Sequence, residues 1–262
     1  MSQKHKDKVE KQFTRTAEAF AEFAVRDSAE VTAEKVQFSK PQPDAVALDV
    51  ACGPGAFVLA LAPKVLFAYG IDLTAEMVRR ARALQTDRRI SNAGFSRGEA
   101  EQIPFGDASF DLVSCQCAMH HIQKPEIVLR EMVRVMKPEA RLMLIDPLGP
   151  ESDSKFELYN RIEVIRDPSH TASLRLTTYL ALFDKLELET VSQTVKRRLR
   201  SFNHWMLRAG LKPGDKRYQE ARKLLEDSAN GDRAGVSPEP QQDDIQIVHN
   251  EGMFLLTRRA VA

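Results

Sequence analysis

The sequence predicts an α/β fold, a doubly wound and mostly parallel sheet of seven strands with a helical extension at the N-terminal end. Short apolar segments alternate with amphipathic segments at helical spacing between Ala45 and Pro147. The connections between these segments are short, which is typical of parallel strands whose crossover helices cover both faces of a sheet. Two further strand-like segments near the end of the chain complete the sheet.

The first forty residues show a helical pattern. Apolar and small side chains recur at helical spacing in the order Phe13, Thr16, Ala17, Phe20 and Phe23. A second helix is expected over residues 28–38, and the two prolines of "KPQPD" end it. We therefore divide the chain into an N-terminal helical lid, residues 1–40, and one α/β domain, residues 41–262.

The central segments follow in strand–helix order. The predicted strands are "AVALDVA", "VLFAYGID", "AGFSRGEA", "FDLVSCQCA" and "ARLMLIDP". The predicted helices are "AFVLALA", "TAEMVRRARALQ" with Thr74 as its N-cap, and "KPEIVLREMVRVM", which ends at Pro138. This order brings the carboxyl ends of the parallel strands to one edge of the sheet, where ligands bind in open α/β folds.

The pattern is less regular after Pro147. Residues 152–166 and 177–183 look helical, with the loop "RDPSHTAS" between them. "LELETVSQTVKRRLR" alternates like a strand, and "MFLLTRRA" reads as the final strand. Helical patterns broken at "GLKPGD" and a surface loop, "GVSPEPQQDD", lie between them. We expect the region around 150–230 to contain insertions that build a substrate pocket.

Composition excludes several classes of protein. The 262 residues include 38 Lys and Arg against 37 Asp and Glu, so no global positive charge favours nucleic acid or an anionic membrane. The start "MSQKHKDKVEKQF" lacks the apolar core of a signal peptide, and no apolar run is long enough to span a membrane. Three cysteines do not suggest a disulfide framework. These features indicate a soluble, cytoplasmic protein.

The most informative stretch is "LDVACGPGA". A strand ends at Asp49, and Gly53 and Gly55 form a turn that lets the backbone bend sharply and lets a ligand approach it closely. Asp72 ends the next strand, where a carboxylate can accept hydrogen bonds from ribose hydroxyls. A ligand-free turn and a helix-capping role for Asp72 are the simpler alternatives. Val58 occupies the third position of a nicotinamide fingerprint, where glycine or alanine is needed, so that fingerprint is incomplete.

Four successive segments resemble the motifs of class I S-adenosylmethionine-dependent methyltransferases, especially those of quinone biosynthesis and their small-molecule relatives. They are "ALDVACGPGAFVLALAP", "GIDLTAEMVRRA", "GEAEQIPFGDASFDLVSCQCAMHHI" and "VLREMVRVMKPEARLMLIDP". The resemblance implies a Rossmann-like methyltransferase fold. It also implies S-adenosylmethionine as cofactor, S-adenosylhomocysteine as its product, and a small-molecule acceptor methylated at oxygen, carbon or nitrogen.

The resemblance assigns cofactor-binding roles residue by residue. Asp49, Ala51, Gly53 and Gly55 would meet the methionine part, and Asp72 the ribose. The adenine would lie against Leu73, Met77, Glu99, Ala100 and Glu101. Cys115 would line the sulfonium side. The loop Ala-Cys-Gly-Pro-Gly and the turn Lys-Pro-Glu-Ala depart from the commoner Gly-Cys-Gly-Thr-Gly and Lys-Pro-Gly-Gly forms.

A base is needed when the acceptor carries a proton of high pKa, and histidine suits that task near neutral pH. His121 follows the fourth strand, and His170 belongs to "RDPSH", which the resemblance places over the same pocket. Both are candidate bases, although a loop histidine can equally be structural. Phe13 and Phe20 are candidate lid residues, and packing of a helix on the sheet explains them as well.

Cys115, Cys117, His120 and His121 lie close together in "SCQCAMHHI", but Cys-x-Cys on a strand is a poor zinc motif, so we expect no metal. Strand alternation predicts that Cys115 and Cys117 point to the same face, and the order of the strands predicts that Cys52 lies near Cys115. The alternatives to a methyltransferase are a cofactor-binding protein with lost or repurposed catalysis and a nicotinamide-dependent oxidoreductase. The balanced charge argues against an RNA methyltransferase. The sequence leaves the oligomeric state open, with a homodimer as one option.

Overall fold

The computed structural model describes residues 1–26 and 29–259, with the side chains of residues 1–18 and 29–259. The helices are α1 Gln3–Arg26, α2 Ala29–Ser39, α3 Ala56–Leu61, α4 Ala75–Asp87, α5 Pro125–Val135, α6 Asp153–Arg166, α7 Leu176–Lys185, α8 Phe202–Arg208 and α9 Lys216–Ser228. The strands are β1 Val46–Val50, β2 Phe67–Asp72, β3 Ala93–Arg97, β4 Phe110–Gln116, β5 Met136–Leu148, β6 Leu188–Ser201, β7 Glu239–Pro240 and β8 Ile245–Arg258.

The strands form one sheet in the order β3-β2-β1-β4-β5-β8-β6. The first five strands along the chain are parallel, and β8 runs antiparallel between β5 and β6. This confirms the predicted fold class. The chain winds outward from β1 to β3 and then returns to β4 beside β1, so the carboxyl ends of β1 and β4 flank the point where the strand order reverses. A ligand crevice is expected at such a point.

Apolar layers cover both faces of the sheet. One layer joins β-strand residues such as Leu48 and Leu144 to α5 and α7, and the other joins Ala47 and Ile145 to α3 and α4. A third apolar cluster packs α6, α8 and α9 against the start of β8. The two layers pack on the strands that lead to the carboxyl edge, and the third cluster packs the later helices together beside β8.

Two strands are longer than the sequence pattern indicates. The chain enters β5 at Met136, directly after α5, and β8 begins at Ile245 instead of near Met253. Pairing explains both differences, because Phe110 of β4 pairs with Met136 and β6 pairs with β8 from Leu188 to Ser201. Part of the expected surface loop also pairs with β8 as the two-residue strand β7.

No helix in the described parts of the chain is long and apolar enough to cross a membrane. The helix α1 packs against α4 and α8, and α2 packs against α3. Both N-terminal helices therefore lie near the carboxyl edge of the sheet. The side chain of Phe20 lies outside the described residues, and its predicted lid role stays a prediction.

Candidate active site

A cavity of about 620 Å³ opens at the carboxyl edge of the sheet. Its size falls within the range of roughly 300–1,000 Å³ that is usual for small-molecule sites. The turn after β1, the ends of β2 and β4, and the segment after β3 form one side. The helices α1, α2 and α8 and the end of β6 form the other. The cavity thus lies where the strand order reverses, and it is closed by the N-terminal helices and by the elements β6 and α8 from the later part of the chain.

The turn after β1 presents open backbone to this cavity. Ala51 and Gly53 both have a left-handed backbone, with φ of 57° and 54°. A Cβ added to Gly53 would meet nothing within 4 Å, so the main chain faces free space there. Gly55 has a different role, because a Cβ there would lie 2.7 Å from the Phe95 ring. Gly55 does not line the cavity, and both its left-handed backbone, with φ of 79°, and this close packing require glycine.

Two buried carboxylates lie beside this turn. Asp49 ends β1 and accepts a hydrogen bond of 2.6 Å from Ser114 Oγ of β4. Asp72 ends β2, and its two oxygens accept hydrogen bonds from the backbone N–H groups of Gly53, at 2.9 Å, and Thr74, at 2.8 Å. Asp72 therefore ties the turn after β1 to the start of α4. Both carboxylates line the cavity.

Burial raises the pKa of both carboxyl groups, and that of Asp49 reaches about 7. A buried carboxylate is costly unless a positive charge or hydrogen bonds compensate it. A ligand that carries an ammonium and a sulfonium supplies that charge, and ribose hydroxyls supply donors. The open turn at Gly53 and these two carboxylates therefore fit the methionine and ribose parts of S-adenosylmethionine.

Four of the five residues expected to lie against the adenine are at the cavity. Leu73, Met77, Glu99 and Ala100 line the cavity. Glu101 does not, because its carboxylate forms an ion pair with the amino group of Met1. We therefore correct the assignment of Glu101 and retain the other four residues as the wall.

The end of β4 differs from the sequence-based assignment. Cys115 is fully buried and packs with Leu48 and Val113 in one sheet layer, so it does not line the cavity. The strand ends at Gln116, and Cys117 turns into a left-handed backbone with φ of 50°, so both of these residues face the cavity instead. The two cysteines therefore do not share a strand face, and Cys52 packs in the opposite sheet layer from Cys115.

His121 lines the cavity and heads a chain of buried hydrogen bonds. Its Nδ1 lies 3.1 Å from Ser169 Oγ, which donates a bond of 2.6 Å to Asp167 Oδ1. Because the single hydroxyl hydrogen is used on Asp167, Ser169 Oγ accepts from His121 Nδ1–H. We assign the tautomer accordingly, which leaves Nε2 as the nitrogen that can take a proton.

The surroundings keep His121 neutral. Burial lowers the pKa of His121 well below its usual value, and the neighbouring His120 and His170 rings add to the effect. Burial also opposes the charge on His120, but Asp146, 2.9 Å from its Nδ1, outweighs burial and raises the pKa of His120. A neutral imidazole with a free Nε2 is the form that can act as a general base.

His170 is not at the cavity wall. Its Nε2 lies 2.9 Å from Asn160 Oδ1, and its ring packs beside His121 at a centroid distance of 6.2 Å. The expectation that His170 lies over the pocket is therefore corrected, since it sits behind His121. Phe13 does line the cavity, with its ring edge-on to His121 at 5.0 Å.

The far wall of the cavity contains residues that the sequence did not single out as site residues. Arg198 and Arg200 of β6 and Trp205 of α8 line it. From the sequence, the basic run Lys196, Arg197, Arg198 and Arg200 is most simply a solvated strand face, with a role in binding an anionic substrate as the alternative. Arg198 and Arg200 are half-buried and line the cavity, whereas Arg197 is exposed and does not line it. Among the side chains of residues 1–18 and 29–259, no three His, Cys, Asp or Glu residues form a metal-binding group.

This fold and this site together define a Rossmann-like methyltransferase that uses S-adenosylmethionine. A family model described as "Methyltransferase domain" matches residues 48–144. The chain is 30% identical over 207 residues to the uncharacterized methyltransferase YcgJ of Bacillus subtilis (strain 168), covering 79% of this chain and 81% of YcgJ. The chain therefore belongs to the S-adenosylmethionine-dependent methyltransferase family.

Solved structures agree. The crystal structure of YcgJ has a TM-score of 0.81 at 26% identity and covers 89% of this chain and 100% of its own. The fold also matches a SAM-dependent methyltransferase of Thiobacillus denitrificans in complex with S-adenosyl-L-homocysteine, with a TM-score of 0.55 at 17% identity, over 88% of this chain and 92% of that one. A demethylmenaquinone methyltransferase of Geobacillus sp. (strain WCH70) is 31% identical over 43% of this chain and 50% of its own length.

The raised pKa of Asp49 leads to a pH prediction. With the folded pKa near 7 and the ordinary value at 3.8, the carboxyl group stabilises the ligand-free fold at low pH and loses that effect as pH rises toward 7. A cationic ligand binds the ionised form. We therefore expect the affinity for S-adenosylmethionine to increase between about pH 5 and 7, by at most about tenfold per pH unit.

Calorimetric titration at several pH values measures this dependence. Asp49→Asn removes this titrating group and leaves Asp72, so its affinity should be lower near pH 7 and should change less across the same range. An equally steep pH dependence in Asp49→Asn would contradict the assignment.

Proposed function

We propose that this protein transfers the methyl group of S-adenosylmethionine to a small-molecule acceptor by in-line displacement, with His121 as general base. The observation that carries the proposal is the His121–Ser169–Asp167 chain, which leaves a neutral imidazole nitrogen at the wall of the cofactor cavity. The demethylmenaquinone methyltransferases among the relatives support a small acceptor. The size of the cavity also supports one.

When bound, S-adenosylmethionine supplies a methyl group already activated on a sulfonium sulfur. Asp49 and Asp72 hold the cofactor end of the cavity, so the acceptor must approach from the side formed by α1, β6 and α8. As the acceptor atom forms its bond to carbon and the carbon–sulfur bond breaks, His121 Nε2 takes the proton that the acceptor loses. Alignment and exclusion of water by α1 and α2 provide the remaining acceleration.

Asp167 and Ser169 act through His121. Ser169 fixes the imidazole tautomer, and the carboxylate of Asp167 fixes the hydroxyl of Ser169, with a second bond of 2.8 Å from the Ser169 backbone N–H. Both are positioning residues, since neither of them lines the cavity. His120 is positioned separately by Asp146, which also accepts a hydrogen bond from Tyr179.

A turnover panel tests the proposal. The protein is incubated with S-adenosylmethionine carrying an isotopic methyl label and with phenols, quinols and amines, and products are identified by mass spectrometry. We expect labelled product from an acceptor with an ionisable O–H, N–H or C–H group, together with one equivalent of S-adenosylhomocysteine. Cofactor binding without any labelled product would instead support a binding protein with lost or repurposed catalysis.

A further inference from the structure

The cavity has an acidic and a basic side. Asp49 and Asp72 lie at the end that fits the cofactor, which carries a sulfonium and an ammonium group. Lys35 of α2 and Arg198 and Arg200 of β6 line another part of the cavity, together with Trp205 and with Glu251, which pairs with Arg198. We call these three cationic side chains the basic wall. The separation of charge suits two ligands of different sign.

Only part of the basic wall is neutralised by the protein. Arg198 donates to Glu251 Oε1 at 2.9 Å and to Glu34 Oε2 at 3.0 Å, and Lys196 also pairs with Glu34, at 2.8 Å. No carboxylate of the described side chains lies within ion-pair distance of Lys35 or Arg200. Two half-buried cations thus face the cavity without a counter-ion.

Cys117 lines the cavity together with Lys35 and Arg200. Burial raises the pKa of Cys117, and the charges of Lys35 and Arg200 act to lower it while those of Glu251 and Asp146 act to raise it. The charge of Lys35 also acts to lower the pKa of Asp49, so this member of the basic wall lies within electrostatic range of the cofactor end. The basic wall therefore borders the part of the cavity that the cofactor does not fill. The acceptor must lie in that part.

Like charges that converge on a partly enclosed space repel one another and attract anions. A guanidinium presents paired N–H donors that match a carboxylate, and an ammonium adds a third donor. Trp205 provides an apolar surface beside them. A small molecule with a carboxylate attached to an apolar, planar body satisfies all of these groups.

We propose that the methyl acceptor is a small carboxylic acid, whose carboxylate binds Arg200 and Lys35 while its accepting atom faces His121. The inference rests on the proposed small-molecule methyl transfer and names the class of its acceptor. It explains why a chain of balanced overall charge concentrates unpaired cations at one wall of its cavity.

A binding experiment without turnover tests the acceptor class. Benzoate and its neutral analogue benzamide are titrated into protein saturated with S-adenosylhomocysteine, and binding is followed by ligand-observed NMR. We expect benzoate to bind about tenfold more tightly than benzamide, because one charge-assisted hydrogen bond contributes roughly that factor to the affinity. Benzoate should also slow alkylation of Cys117 by iodoacetamide, measured by peptide mass spectrometry, which places the ligand at the basic wall.

Arg200→Gln should abolish the preference for benzoate and the protection of Cys117, and Lys35→Gln should reduce both. Arg197→Gln removes the same charge from the other face of β6 and should keep both effects. Equal binding of the two probes, no binding of benzoate, or an Arg200→Gln protein that still prefers benzoate would overturn the inference. Because no methyl group is transferred, these outcomes are independent of whether His121 acts as a base.

Discussion

His121→Gln is expected to lower kcat by about 10²–10⁴-fold, the usual contribution of a general base, while the affinity for S-adenosylmethionine stays within a factor of about two. Glutamine fills a similar volume and keeps a polar side chain at the cavity wall, but it cannot accept a proton at neutral pH. Steady-state turnover with the acceptor found in the panel, combined with calorimetric binding of the cofactor, separates the two effects.

Ser169 provides a matched pair of variants for this prediction. Ser169→Ala removes the acceptor for His121 Nδ1–H and should reduce kcat by about tenfold through loss of one buried hydrogen bond. Ser169→Thr keeps the hydroxyl and should restore most of the rate. If His121→Gln turned over at the wild-type rate, the base would have to be another residue or no base at all.

The pH profile provides a second readout for His121. Because the pKa of His121 lies well below its usual value, its imidazole remains neutral as pH falls through 6.5. The kcat of the wild-type protein should therefore stay on its plateau between about pH 6 and 8, unless the acceptor itself titrates there. Loss of rate centred at the ordinary pKa of histidine, about 6.5, would contradict the assigned environment.

Asp72→Ala is expected to weaken S-adenosylmethionine binding by about 100-fold or more. The change removes a carboxylate able to form two charge-assisted hydrogen bonds, and it also frees the backbone N–H groups of Gly53 and Thr74. Thermal melting with and without the cofactor measures the effect. The wild-type Tm should rise on addition of the cofactor, and that of Asp72→Ala should not.

Asp111→Asn is the matched control, since Asp111 lies in β4 and pairs with Lys137 outside the cavity. This variant loses a structural ion pair and keeps the cofactor site, so its cofactor-induced shift in Tm should equal that of the wild type. The far-UV circular dichroism of Asp72→Ala should remain unchanged. A normal shift in Asp72→Ala would contradict the ribose assignment.

The cofactor half of the site was largely predictable from the sequence. Asp49, Gly53 and Asp72 follow buried apolar segments directly, and strand–helix alternation alone places such residues at one edge of a parallel sheet. For Gly55 the sequence predicts a sharp turn, which agrees with its φ of 79°, but it does not predict the close packing. Its conformational freedom is visible in the sequence, whereas the Phe95 ring that requires a glycine is a tertiary contact.

At the end of β4 the sequence pattern does not predict the observed structure. The alternation of "SCQCA" predicts that Cys115 and Cys117 share a face, but the strand ends at Gln116 and the backbone of Cys117 is left-handed. Pairing with β5 continues only to Gln116, opposite Ile145. Nothing in the local sequence indicates that Gln116 forms the last residue pair between β4 and β5. The sequence therefore does not distinguish the position of Cys115 in the core from that of Cys117 at the cavity.

The acceptor half depended on long-range contacts. Arg200 reaches the cavity because β6 pairs with β8 along its whole length, and β8 in turn pairs with β5. Ser169, which contacts His121, and Asp167, which contacts Ser169, follow His121 by 48 and 46 residues in the chain. Local periodicity in the sequence does not predict contacts over such separations. The motif "RDPSH" pointed to the correct loop, but the resemblance drew attention to His170 instead of to these two residues.

The central claim is transfer of a methyl group from S-adenosylmethionine to a small molecule. The most direct measurement incubates the protein and methyl-labelled cofactor with a cell extract separated into small-molecule, nucleic-acid and protein fractions, with Asp72→Ala as the blank. We predict enzyme-dependent label only in the small-molecule fraction, in a compound that gains one methyl group. Label in the nucleic-acid or protein fraction, or no label in any fraction beyond the blank, would contradict the claim.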